Sequence, residues 1–307
     1  MPREVADVSV IIPAYRAIAT IGRTLASVAA QSVLPREVIV VDDGSDDGTF
    51  EKVQTWASKL GESKLIAIKE DHRGPGAARN KGLTTATSEF VAFLDADDEW
   101  LPGKLERSFA ILNQTNSNIV SHNYTMICGD KISNVNCFDS YRRNKSAFIG
   151  YFLRGYVATS TVVARRNTLI AAGGFNTQLP SGQDHELWLV VLDSSDTRFH
   201  IFNEPLTRYH VTPNNISAKV ELRRQCSLKI AQQHAYRLRR HCRYPAWILA
   251  LRTLIIHAQA ALGFLSQSRY GEMIRICFAA PVNFFLAFRN VSHTPVARSE
   301  FRHINHD

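Results

Sequence analysis

Cysteine is sparse in this sequence: five residues, Cys128, Cys137, Cys226, Cys242 and Cys277, irregularly spaced and with no CxxC pair. That pattern indicates neither a zinc site nor a disulfide framework, and a reduced cytosolic setting is the simpler reading. No GxxxxGK[ST] stretch occurs, so a P-loop is excluded. No repeat at a fixed period and no low-complexity tract is present, which speaks against solenoids and disordered arrays. The N-terminus, MPREVADVSVIIPAY, lacks a long apolar run and a small-residue cleavage site, and no signal peptide is expected. What is there is a chain of 307 residues, 45% of them hydrophobic, enough for one large domain or two smaller ones around a sizeable core.

Charge is unevenly placed. Residues 219–307 hold 14 Lys and Arg against 4 Asp and Glu, whereas residues 1–218 hold 22 against 24. The positive balance therefore belongs to the tail. Such a tail suits a nucleic acid or an anionic lipid, or is simply solvated; no nucleic-acid partner is expected here.

The first hundred residues alternate between two periods. VSVII (8–12), EVIVV (37–41), KLIAI (64–68) and FVAFL (90–94) read as buried strands. Between them, Ile21, Leu25 and Val28 recur at helical spacing, Phe50 and Val53 open a second helix, and RGPGAARNKGLTTA makes a turn and a third. Short apolar runs separated by helices predict a largely parallel α/β sheet. Further on, LPGKLERSFAILNQ reads as a helix, SNIVSHNYTMI and YVATSTVVARR (156–166) as strands, NTLIAAGGF as a short helix, and SGQDHELWLVVLDSS as a helix starting near Gln183. YHVTPNNIS (209–217) reads as a loop closing a first domain, 1–217, with a helical second region over 218–307.

The polar motifs all follow strands: Pro13–Tyr15 the first, Asp42–Asp43 the second, the Gly74–Arg79 loop the third, and Asp95–Asp98 the fourth. Ligands of open parallel sheets bind beyond the carboxyl ends of the strands, so the order brings four motifs to one edge. In LDADDEW, like charges crowd the end of a strand, which a hard divalent cation would relieve. An ordinary turn rich in Asp is the competing reading. Asp46 and Asp47 read as a turn and helix cap. Asp43 can accept an N–H from a nucleobase, and Arg79 can meet an anion or a base. A dinucleotide fingerprint would need glycine at position 79 and a place after the first strand, and GPGAARN has neither.

Taken in order, VSVIIPAYRA, VVDDGSDDGT, GPGAARNKG, FVAFLDADDEW and GGFNTQLPSGQDHELWLV resemble glycosyltransferase family 2 over residues 7–217. The resemblance implies the GT-A fold, a Rossmann-like, mainly parallel sheet flanked by helices, here with a C-terminal helical extension. It implies an inverting transfer of a sugar from a UDP-, GDP- or dTDP-sugar to a glycan or lipid-linked acceptor, with Mg²⁺ or Mn²⁺. By resemblance, Pro13, Ala14 and Tyr15 line the base and ribose, Asp43 binds the base, and Arg79 helps hold the nucleotide. Asp95 and Asp97 match the DxD motif, with Asp97 the more direct metal ligand and Asp95 shared with the nucleotide. Asp184 matches the catalytic base. Three departures stand out. Gln183 replaces the usual acid before the base, and the QxxRW motif of polymerising members is absent. In YHVTPNN, His210 and Thr212 stand where Arg and His are usual, which leaves His210 a tentative metal or diphosphate contact beside Arg208. Two rivals stay open: a phosphotransferase with Asp95 as nucleophile and Asp97 as acid/base, and a silent nucleotide-binding scaffold. Trp100 and Trp188 read as core.

In the tail, 244–265 and 276–288 are apolar but interrupted by Arg252, His257, Pro281 and Asn283. Packing or dimer helices, interfacial helices on anionic lipid, and spanning helices are the three readings. The expected location is cytoplasmic, with peripheral membrane contact through 244–288 as one form of it.

Overall fold

A computed structural model describes residues 3–144, 146–211 and 219–290. The chain divides into two compact units, Met1–Cys226 and Ser227–Asp307.

The first unit opens with β1 (Val5–Ala14), α1 (Ile21–Ala29), β2 (Leu34–Asp43), α2 (Thr49–Gln54), β3 (Lys64–Glu70), α3 (Pro75–Thr85) and β4 (Phe90–Phe93). β5 (Glu99–Trp100), α4 (Lys104–Thr115), β6 (Ile119–His122), β7 (Tyr124–Cys128) and β8 (Lys131–Val135) follow. Then come α5 (Cys137–Arg142), α6 (Ala147–Arg154), a 3-10 turn (Thr159–Thr161), β9 (Val163–Arg165), α7 (Arg166–Ala171), α8 (Gln183–Asp193), β10 (Phe199–Phe202) and β11 (Thr207–His210). α9 (Val220–Gln233) crosses from the first unit into the second.

Seven strands form the main sheet in the order β10-β6-β9-β4-β1-β2-β3. All run parallel except β9, which is antiparallel to both β4 and β6. β1 is central and covered on both faces, so from Val8 to Ala14 it is buried throughout and mostly apolar, broken only by Ser9, whose hydroxyl donates to Glu37. On one face Val8, Val10 and Ile12 join Ile21, Leu25 and Val28 of α1 and Leu105 of α4 in a single cluster. On the other face Ile11 meets α3 at Gly82, and Phe93 packs edge-on against Phe175 and Trp188. A Cβ at Gly82 would overlap Ile11 Cγ2, a stiff β-branched methyl. Gly82→Ala is therefore expected to destabilise the fold by about 1–3 kcal/mol through overpacking. Urea unfolding would show it as a lower midpoint at unchanged slope, and an unchanged midpoint would refute it.

Several sequence expectations need correction. β1 and β2 are ten residues each, and β1 runs through Pro13, because pairing continues to Ala14 opposite Asp42. SNIVSHNYTMI is not one strand. It breaks at Asn123, with β6 in the main sheet and β7 in a second, four-stranded sheet ordered β5-β11-β7-β8. YVATSTVVARR is strand only at Val163–Arg165. Before that, Thr161 donates its backbone N–H and its hydroxyl to Ala158 O, at 3.0 and 2.6 Å, and winds the turn. Tyr209 and His210 belong to β11 and not to a loop. Thr212 and the rest of the expected closing loop, 212–217, lie outside the described residues.

The second unit carries α10 (Leu238–His241), α11 (Pro245–Ser266) and α12 (Tyr270–Asn290). α11 and α12 pack on each other. Trp247 meets Phe288 edge-on at 5.1 Å, and Asn283 Nδ2 lies 3.0 Å from His257 Nε2.

Candidate active site

β1, β2 and β4 are parallel neighbours, so Ala14, Asp43 and the loop after Phe93 emerge along one edge of the sheet. Two groups of polar side chains form there.

The first lies beyond β1 and β2. Asp43 is buried, and its carboxylate accepts the backbone N–H of Arg73 and of Gly74, each at 2.8 Å. His72 Nδ1 lies 2.9 Å from Asp43 Oδ2. The His72 ring stacks on Tyr15 with centroids 4.1 Å apart, and Arg16 lies over the other ring partner, Tyr15, at 5.4 Å. Pro13 and Ala14 are buried beneath. Asp43 thus fixes the 72–74 turn, while Tyr15, 43% exposed, offers an aromatic surface at the edge. Asp46 pairs with Arg16, and Asp47 caps Thr49 and accepts from Ile18 N, the structural roles read from the sequence.

The second lies beyond β4. α1 holds the acidic loop by its backbone. Arg23 donates to Asp97 O at 2.7 Å, and Thr24 Oγ1 to Ala96 O and Asp98 O. The peptide carbonyls are therefore occupied by one helix face, which fixes where the carboxylates emerge. Arg79, from α3, is almost fully buried and meets Asp95 Oδ1 at 2.5 Å. Burial alone would lower its pKa; the charges of Asp95 and Asp184 more than offset this and raise it. The same guanidinium therefore lies in the field of both Asp95 and Asp184.

Asp184 sits in the first turn of α8, which Gly182 starts from a left-handed backbone at φ 78°. Its Oδ1 accepts its neighbour's N–H, from His185, at 2.8 Å, and its Oδ2 accepts the Thr159 hydroxyl at 3.2 Å. The next residue in the turn, Ser160, accepts Asp95 N–H at 3.1 Å and donates to Asp98 Oδ2 at 2.5 Å. Ser160 O also accepts the Trp100 indole N–H at 2.7 Å. Two consecutive hydroxyls thus join Asp184 to the loop that carries Asp95, Asp97 and Asp98. Asp98 is completely buried, and His210 N–H donates to its Oδ1 at 3.0 Å. Burial first, and then the charges of Asp95 and Asp97, push the Asp98 carboxyl well above the usual carboxylate range. Glu99 gathers His210 Nε2 at 2.7 Å, Arg23 at 3.3 Å and Arg208 at 3.8 Å.

Among the described residues no group of three or more His, Cys, Asp and Glu side chains forms a ready metal cage. The donor set still fits Mg²⁺ or Mn²⁺, which take one or two carboxylates and complete their shell with substrate phosphates and water. Asp95 and Asp97, two residues apart on one short loop, are the kind of acidic pair that such an ion relieves.

The structure brings Arg79, Asp95, Asp97 and Asp184 into one connected neighbourhood. Pro13, Ala14, Tyr15 and Asp43 lie on the adjoining strand ends. His210 turns its ring to Glu99. Sequence reasoning passed over His72 and Glu99, took Asp98 only as part of the acidic cluster, and read the Thr159–Thr161 stretch as near the donor sugar without a separate role for Ser160. Only the run of hydroxyls in TST hinted at the last, since a side chain that bonds a distant loop leaves no periodic trace. Ser160→Ala would strand a buried carboxylate oxygen, and is expected to cost about 1–3 kcal/mol of stability. Thermal or urea unfolding checks it, and an unaltered transition would count against the linkage.

Open, mainly parallel sheets bind their ligands at this edge. The family model "Glycosyl transferase family 2" matches residues 9–167, just over half of the chain. The chain belongs to glycosyltransferase family 2. It is 29% identical over 221 residues to the UDP-Glc:alpha-D-GlcNAc-diphosphoundecaprenol beta-1,3-glucosyltransferase WfgD of Escherichia coli, covering 71% of this chain and 83% of that one. It is 30% identical over 222 residues to the putative teichuronic acid biosynthesis glycosyltransferase TuaG of Bacillus subtilis, covering 69% and 81%. Among solved structures, S. aureus TarS 1–349 in complex with UDP-GlcNAc superposes with a TM-score of 0.67 at 21% identity, over 92% of this chain and 90% of that one. The mannosyltransferase PcManGT from Pyrobaculum calidifontis in complex with GDP-Man and Mn²⁺ gives 0.59 at 21%, over 94% and 86%. At these identities the likeness to the solved structures is one of fold. Family membership sets the phosphotransferase reading aside.

Proposed function

We propose that the chain moves a sugar from a nucleoside-diphosphate sugar to a hydroxyl of a glycan or lipid-linked glycan, with inversion at the anomeric carbon. Asp184 takes the proton of the acceptor hydroxyl as its oxygen attacks that carbon. The bond to the diphosphate breaks on the opposite face, and its electron pair leaves with the nucleoside diphosphate. Arg79 holds Asp95 in place and adds positive charge beside the departing phosphates. Tyr15, Asp43 and the buried Pro13 and Ala14 form the end that takes the base and ribose. Asp97 and Asp95 would hold Mg²⁺ or Mn²⁺, which when bound neutralises charge on the diphosphate. His210 orders Glu99 and Asp98 behind them.

The observation that carries this reading is the Thr159–Ser160 tether between Asp184 and the Asp95 loop. It ties the carboxylate assigned here as proton acceptor to the acidic loop assigned here as cation holder. Supporting it, WfgD is named for a UDP-glucose donor and a diphosphoundecaprenol-linked acceptor, and a mannosyltransferase of like fold holds GDP-Man with Mn²⁺. We place the reaction in the cytoplasm, in the building of a cell-surface polysaccharide or glycolipid.

A panel of UDP-, GDP- and dTDP-sugars, incubated with Mn²⁺ and a diphospholipid-linked glycan, tests the proposal. One donor is expected to release its nucleoside diphosphate, and the product should carry the opposite anomeric configuration by NMR. Retained configuration, or no turnover of any donor, would contradict it.

A further inference from the structure

The two long helices of the second unit are apolar on the wrong side as well as the right one. α12 buries Ile276 and Ala287, as a helix packed on a neighbour does. Its opposite face carries Ile274, Phe278, Val282 and Phe285, at steps of four, four and three, and all four are exposed. Phe278 is 78% and Phe285 70% accessible. α11 repeats the pattern with Leu251, Leu254, Leu262 and Leu265, all exposed, while its polar Arg252 and His257 are buried. A soluble helix presents the reverse arrangement, and contiguous apolar surface of this length marks a docking site.

Charge identifies what docks. Residues 227–290 contain nine Lys and Arg and a single acidic residue, Glu272. None of the charged residues falls within 276–288, and Arg252 is the only one between Tyr244 and Ser268. Arg239, Arg240 and Arg243 are exposed just before α11, and Arg269 and Arg275 are exposed where α12 begins. Uncharged faces bounded by arginine at the helix ends match a leaflet whose acyl chains lie under anionic headgroups. A second copy of the chain fits less well, because it would bring two like-charged rims together.

We propose that the exposed faces of α11 and α12 seat the protein on an anionic lipid surface. Apolar side chains of both helices enter the acyl boundary, and the flanking arginines meet the headgroups. Phe278 and Phe285 on α12 carry the largest share. The seat is independent of the transfer reading, since it is measured without donor or acceptor.

The full chain, floated with phosphatidylglycerol-containing vesicles and with pure phosphatidylcholine vesicles, tests the proposal. Wild type should float with the first, more weakly with the second, and less with the anionic vesicles at high salt. The double variant Phe278→Glu/Phe285→Glu, changed only at exposed positions, should lose about tenfold or more in partitioning at an unchanged melting temperature. If that variant proves unstable, wild-type tryptophan emission still decides. Bromine-labelled acyl chains should quench it, and Trp247→Phe should remove the quenched part. Wild type remaining in the aqueous fraction with anionic vesicles would overturn the proposal. So would undiminished flotation of a folded double variant, unquenched emission, or a vesicle-free dimer that the double variant dissolves.

Discussion

Asp184→Asn should slow sugar transfer by about 10²–10⁴-fold, the usual worth of a positioned general base. The substitution keeps the shape of the side chain. Its carbonyl oxygen can still accept the N–H of His185 or the hydroxyl of Thr159, so α8 and the turn stay where they are. What is lost is the ability to take a proton from the acceptor hydroxyl. Donor binding depends on the other strand ends and should change little. The dissociation constant for the nucleoside-diphosphate sugar and the turnover number, measured side by side, separate these effects. Loss of turnover at constant affinity supports the assignment, and wild-type turnover would remove Asp184 from the mechanism.

Asp97→Asn should abolish stimulation by Mn²⁺ or Mg²⁺ and lower transfer by about a hundredfold or more, since a bound cation is worth several kcal/mol to the departing diphosphate. The loop itself should survive. Its carbonyls are held by Arg23 and Thr24, and Asp98 by Ser160 and His210, none of which uses the Asp97 carboxylate. An enzyme whose rate depends on metal equally before and after the change would contradict the role. Assays across metal concentration, with circular dichroism as the check on folding, measure it.

The parts of this structure that repeat were readable from the sequence. Ile21, Leu25 and Val28 bury one stripe of α1, and the apolar runs at 8–12, 37–41 and 90–94 became neighbouring parallel strands. The sequence therefore puts the motifs at the ends of those strands on one edge. The second sheet was not readable. β5 is two residues long and directly follows a run of acids, and β11 sits in a stretch whose Tyr and His suggested a loop. Their pairing depends on partners more than a hundred residues apart, Thr207 with Trp100 and Arg208 with Glu99. His72, and the tethering role of Ser160, were not readable for the same reason: each acts through a contact distant in sequence, Tyr15 for one and Asp98 for the other. The departure Gln183 has a physical account. It is buried, donates to Leu179 O at 2.6 Å and packs on Gly76, so an amide there closes α8 onto α3 with its own hydrogen bond made.

The central claim is that distant carboxylates share one cation-assisted diphosphate site at the sheet edge. The most direct measurement is the melting temperature with UDP, GDP and dTDP, each with and without Mn²⁺, for wild type and Asp97→Asn. Ligand held only by the folded state adds about 2.7 kcal/mol at a hundredfold excess over its dissociation constant. The account predicts that one diphosphate raises the wild-type melting temperature markedly more with Mn²⁺ than without, and that Asp97→Asn loses this increment. Equal shifts with and without the ion, or an increment that Asp97→Asn retains, would contradict it.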